Sequence, residues 1–246
     1  MKVPAITLGF WILKILATTL GETGGDTLSM TYEMGYLASS AIFIVPLVVL
    51  VVAQVRARTF HPYLYWATII ASTTAGTTMA DFATRSLGIG YAGGSLLLLA
   101  SVLLSLGLWR MATGTVAVDS VRTARAETWY WVTITFSQTL GTALGDWAAD
   151  DGGLGYLGGA LLFGGLLAAL VLLWCYTAIS RVVLFWTAFI LTRPLGATVG
   201  DFLDKPLSEG GLDFSRPVAS VVLAAAILAG IGFVHGRKSR GNGPAN

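Results

Sequence analysis

Apolar runs and short polar breaks alternate along the whole chain, and the runs share a length. A helix needs roughly 17 to 25 apolar residues to cross a ~30 Å hydrocarbon core. Eight runs of that size can be read, at residues 4–25, 36–55, 62–81, 91–111, 128–147, 155–177, 182–201 and 216–235. The pattern predicts an all-α integral membrane protein of eight transmembrane helices, a single membrane domain over residues 1–246. Little chain is left over for a soluble catalytic unit. The first run opens with Lys2, as a signal peptide would, but Lys14 interrupts it and no small-residue cleavage site is convincing. It is expected to remain as a helix.

Composition agrees with this. Hydrophobic residues make up 55% of the 246 positions and charged residues 11%, with a mean hydropathy of +0.74. Such values belong to polytopic membrane proteins. Basic residues set the orientation. With a cytoplasmic N-terminus, ten of them (Lys2, Arg56, Arg58, Arg110, Arg122, Arg125, Arg181, Arg237, Lys238 and Arg240) fall on the cytoplasmic side, against Arg85, Lys205 and Arg216 on the other. This positive-inside bias predicts a multi-pass protein with both termini cytoplasmic and a disordered basic tail over 239–246. Eleven of the thirteen acidic residues instead gather at or beyond the outer ends of the odd-numbered runs.

Those acids mark a repeat. Trp11, Trp66, Trp131 and Trp186 are each followed fifteen residues later by an aspartate, Asp26, Asp81, Asp146 and Asp201. Five residues before each aspartate stands a glycine (Gly21, Gly76, Gly141, Gly196), and immediately before it Gly25, Ala80, Gly145 or Gly200. Nine residues after it comes Gly35, Gly90, Gly155 or Gly210. The copies are spaced 55, 65 and 55 residues apart, and the extra residues fall in ATGTVAVDSVRTARAE, read as the linker of a two-plus-two arrangement. Repeats are assigned to residues 1–58, 59–120, 121–180 and 181–238.

This organisation resembles a bacterial integral-membrane family of four tandem repeats of unknown function, each with two transmembrane segments and a marked tryptophan. Trp11, Trp66, Trp131 and Trp186 are the residues that match. The resemblance implies the fold and a bacterial inner (plasma) membrane location, and supplies no activity. In the fourth copy Gly210 and Gly211 replace Gly-Tyr, and DKPLSEGGLDF adds charge, so its outer loop is expected to be specialised.

Two helices per unit give every copy the same orientation, which makes the units parallel repeats, pseudo-symmetric about the membrane normal. Trp and Asp then stand ~22 Å apart along a helix rising ~1.5 Å per residue, placing the aspartates at one depth in the outer part of the membrane. Small residues at Gly-x-x-x-Gly/Ala let helix backbones approach and should gather the carboxylates around the pseudo-axis. A stripe twelve, eight and four residues before each aspartate lies on one face. It reads Lys14, Thr18, Glu22; Ile69, Thr73, Thr77; Ile134, Gln138, Thr142; and Phe189, Arg193, Ala197. The gradient predicts a cavity opening outward over a greasy floor.

Five acids, Glu22 and the four aspartates, against Lys14 and Arg193 leave three uncompensated negative charges. A buried surplus of that kind binds a cation or protonates. Carboxylates supported by Thr18, Thr73, Thr77, Thr142 and the amide of Gln138 suit hard ions such as Mg, Mn or Ca. His61 and His235 are predicted cytoplasmic, and the lone Cys175 excludes a disulfide and a Cys-rich metal site. The expected function is a cation transporter, first for a divalent metal, with Asp26, Asp81, Asp146, Asp201 and Glu22 as ligands and Lys14 and Arg193 tuning their charge. Expected partners are the lipid bilayer and the small cation, not nucleic acid, with a homo-oligomer left open.

Alternatives are a non-transporting scaffold or sensor whose polar residues are interhelical links, and a carrier of small organic cations. An enzyme is not expected, since no nucleophile with a base, zinc motif or phosphate loop is found. The tryptophans read as interfacial anchors or packing residues, with a substrate-stacking cage as the minority view. Asp150, Asp151, Asp204, Glu209 and Asp213 read as solvated loop charges.

Overall fold

A computed structural model describes residues 2–240 of the protein. Among them are eight α-helices and no strands: α1 Leu8–Asp26, α2 Tyr36–Arg56, α3 Pro62–Asp81, α4 Gly90–Thr113, α5 Ala124–Asp146, α6 Gly155–Tyr176, α7 Arg181–Asp204 and α8 Arg216–Arg240. Each apolar run became a helix. The starts follow local chemistry: Thr7 and Thr123 cap α1 and α5 through their hydroxyls, and Pro62 opens α3 where its missing N–H costs nothing. The Thr123 cap lets α5 begin inside the segment read as linker. At the other end of the chain α8 runs through residues 239 and 240, and the rest of the predicted tail, 241–246, lies outside the described residues.

Five helices, α2, α4, α6, α7 and α8 over Arg216–Val234, are long and apolar enough to cross a membrane. Exposed aliphatic side chains such as Val48 and Val49, Leu103 and Leu104, Leu161 and Leu172, Val221 and Val222 cover the outward faces of α2, α4, α6 and α8. Apolar surface this extensive needs lipid, and the chain is a membrane protein. By contrast, α1, α3 and α5 bury threonines, Gln138, Lys14 and carboxylates, which lowers their apolar content below that of the outer helices.

The odd helices form a closed inner ring in which α1 packs on α3 and α7, and α5 packs on the same two. Each even helix lies mainly against the odd helix of the following unit: α2 on α3, α4 on α5, α6 on α7, with α8 returning to α1. The sequence repeat is therefore not the packing unit, because the units interlock. Small residues allow the ring to close. A Cβ on Gly21, Gly76, Gly141 or Gly196 would run into Thr73, Gln138, Arg193 or Thr18, the stripe residue eight before the aspartate of the next unit.

At one end of the ring an aromatic layer fills the core. Trp66, Trp131 and Trp186 are buried there with Phe10, Tyr65, Tyr130, Trp109 and Phe189. Several of their contacts are edge-on, as between Tyr130 and Trp131 at 5.2 Å and between Trp109 and Trp186 at 5.7 Å, and others, such as Tyr65 with Trp131, are tilted. These three tryptophans are packing residues rather than anchors, while Trp11 is only half-buried. The connecting segment 114–123 closes this end. Val121 is buried, and Val116 offers its carbonyl to Trp186 Nε1 at 2.9 Å.

At the opposite end the aspartates close the odd helices. Five-residue π-helical turns, Thr27–Thr31, Phe82–Ser86 and Trp147–Asp151, follow Asp26, Asp81 and Asp146 directly. The fourth copy differs, since α7 continues through Asp201 to Asp204. In all four the repeat glycine nine residues after the aspartate has positive φ, between 64° and 84°, which reserves that turn for glycine.

Candidate functional site

The four stripes converge inside the ring. Lys14, Thr18, Glu22, Thr73, Thr77, Gln138, Thr142 and Arg193 are all buried, as are Asp26, Asp81, Asp146 and Asp201. They stack as a polar column above a floor of Ile69, Ile134 and Phe189, all fully buried. Lys14 sits at that floor, away from the acids expected to pair with it. Its Nζ lies 4.1 Å from the centroid of Phe189 and donates to Gln138 Oε1 at 3.3 Å.

One guanidinium fills the middle of the column. Arg193 Nη1 donates to Glu22 Oε2 at 2.8 Å, and Nη2 donates to Thr77 Oγ1 at 2.6 Å and Thr142 Oγ1 at 2.5 Å. A residue of α7 thus links α1, α3 and α5 at a single level. Thr18 Oγ1 donates to the Thr192 carbonyl at 3.2 Å and ties α1 to α7 beside it.

Above Arg193 the four aspartates do not share one centre. They divide into two cation-bridged pairs. Arg85 spans Asp81 at 3.1 Å and Asp146 at 3.3 Å. Lys205 spans Asp26 at 3.0 Å and Asp201 at 3.2 Å. Burial works against the Lys205 ammonium, but the carboxylates of Asp201, Asp26 and Asp204 outweigh it and hold its pKa well above the ordinary lysine value. Arg216 adds a contact of 3.4 Å to Asp204, which is buried and not a solvated loop charge. Asp150 accepts from Tyr91 OH at 3.1 Å.

These bridges correct the charge balance read from the sequence. With Arg85 and Lys205 joining Arg193, and Lys14 held apart at the floor, five acids face three cations, so the surplus of three negative charges falls to two. The signal for both missed residues was present: each stands four positions after a repeat aspartate, one helical turn on. Their loop positions concealed it. The loop after α7 delivers Lys205 by folding back on that helix, with Leu212 and Phe214 N–H groups donating to the Phe202 and Leu203 carbonyls at 2.8 and 2.9 Å.

Among the described residues, Glu22, Asp26 and Asp201 can each place an oxygen within 4.8 Å of the others. All three are buried, and Asp26 Oδ1 has no hydrogen-bond partner. Asp81 and Asp146 are not in this group. Of the five acids expected as ligands, the three on α1 and α7 are the ones that bring oxygens this close together.

Fold and site define a class: an all-helical membrane protein of four repeats with ion pairs buried between its inner helices. The family model Repeat of Unknown Function (DUF347) matches residues 9–60, 64–115, 129–180 and 184–239. The chain belongs to this family, as the repeated tryptophans implied. Comparison with curated proteins gave no match, and comparison with solved structures gave none either.

Proposed function

We propose that the protein is a transporter of a small cation, a divalent metal first, which binds between α1 and α7 at Glu22, Asp26 and Asp201. One observation carries this reading: three buried carboxylates bring oxygens within 4.8 Å of one another, and one of them keeps an unpaired oxygen, Asp26 Oδ1. Carboxylate oxygens at that separation suit hard cations. Further free polar atoms, Thr73 Oγ1 and Gln138 Nε2, line the column below. In this reading all eight helices span a bacterial inner membrane as parallel repeats about an axis normal to it. The aromatic end and both termini face the cytoplasm, following the basic residues. Transport in this reading requires units one and two to rock against units three and four around the site, at the α4–α5 and α1–α8 contacts where the halves interlock.

Thermal unfolding of the purified protein with Mg, Mn or Ca tests the binding step. The melting temperature is expected to rise with ion concentration, the rise being lost in Asp26→Asn/Asp201→Asn and retained in Asp81→Asn. No shift with any of the three ions overturns the site. Uptake into proteoliposomes separates a transporter from a scaffold with the same ion pairs.

A further inference from the structure

We propose that Lys205 is a tethered occupant of the cation site, so that an incoming cation binds by displacing its ammonium from Asp26 and Asp201. This rests on the reading of Glu22, Asp26 and Asp201 as the site. The Nζ atom lies 3.0 Å from Asp26 Oδ2 and 3.2 Å from Asp201 Oδ1, which are two of the three carboxylates that can converge on an ion. A bound cation and the ammonium therefore draw on the same two carboxylates. The third contact of Nζ, to Met30 Sδ at 3.8 Å, is weak and holds little of it in place.

The tether is built for movement. Lys205 is the first residue past α7, with extended backbone, and Pro206 follows it. Its carbonyl accepts from Asp213 N–H at 2.9 Å, so the loop is fixed at the backbone while the side chain can swing. Arg216 lies 4.0 Å from Asp26 and 3.4 Å from Asp204. Asp204 is thus a nearby carboxylate that could receive Lys205 when it leaves Asp26. Arg85 does not share this design, since it is held in a planar fork between Asp81 and Asp146. The two cation bridges differ accordingly: the one made by arginine is a fixed link, and the one made by lysine is exchangeable.

The test compares wild type, Lys205→Ala and Lys205→Met by thermal unfolding in detergent, each titrated with Mn and, separately, with methylammonium chloride. Removing the competitor should lower the Mn concentration at half-maximal shift by about tenfold or more, and methylammonium should stabilise Lys205→Ala but not wild type. Lys205→Met keeps the side-chain volume and guards against a folding defect in the alanine variant. Methylammonium binding without any Mn binding keeps the tethered ammonium and removes the metal reading. Wild-type Mn binding that is unchanged or weaker in both variants, with no methylammonium effect, overturns the tether and leaves the metal site standing. Variants that fold but respond to neither ion overturn it as well.

Discussion

Arg193 Nη1 and Glu22 Oε2 meet at 2.8 Å, with both side chains essentially sealed from solvent. The pair joins the neighbouring first and fourth units, and its partners Thr77 and Thr142 bring in the second unit, across the ring, and the third. Burying two charges is costly, so the pair specifies the arrangement more than it stabilises it. Arg193→Met and Glu22→Gln are each expected to cost about 3–5 kcal/mol, because each leaves a buried charge or its partners unpaired. The double variant should recover much of that loss, which a double-mutant cycle on thermal unfolding would read as strong coupling. Additive losses would place the two residues in separate roles.

Gly141 faces Arg193 so closely that a Cβ would overlap the arginine's own Cβ and Cγ. Gly24 has nothing within 4 Å of its Cβ position. Gly141→Ala is therefore expected to destabilise by about 1–3 kcal/mol through overpacking, whereas Gly24→Ala should be neutral or stabilise by up to about 1 kcal/mol through helix propensity. Melting temperatures of the two variants check the contrast. Equal effects would mean that helix propensity, not ring closure, governs these positions.

Much of this was legible in the chain because duplication prints the same physical constraint four times. The Trp-to-Asp spacing, the small residue five before each aspartate and the stripe between them each named side chains that do converge in the ring. Partnership was the part that could not be read. Whether α2 lies on α1 or on α3 depends on interlocking between units, for which hydropathy carries no signal. For the same reason Arg85 and Lys205 read as topology markers on the outer side, although the turn after each aspartate folds them back onto it. Lys14 shows the opposite error. Its position beneath Glu22 suggested a carboxylate partner, but the two turns of helix between them put it among Phe189 and Gln138.

Lys2 Nζ lies 2.7 Å from Glu127 Oε2 and donates also to the carbonyls of Gln54 and Val55 at 3.4 and 3.0 Å. One side chain therefore fastens the N-terminal segment to the end of α2 and the start of α5, at the aromatic end of the ring. The segment also donates from Lys2 N to the Val121 carbonyl at 3.5 Å, against the connection that covers this face. Glu127 is buried, so removing the lysine leaves a carboxylate with no counter-charge, while neutralising the acid leaves a partly accessible lysine that water can solvate. Lys2→Met should accordingly cost more than Glu127→Gln, by about 1–3 kcal/mol. It should also expose the N-terminal segment to limited proteolysis from the same face. A larger loss in Glu127→Gln would show that the glutamate holds the helix ends by itself, and that the lysine is a bystander at the closed end of the ring.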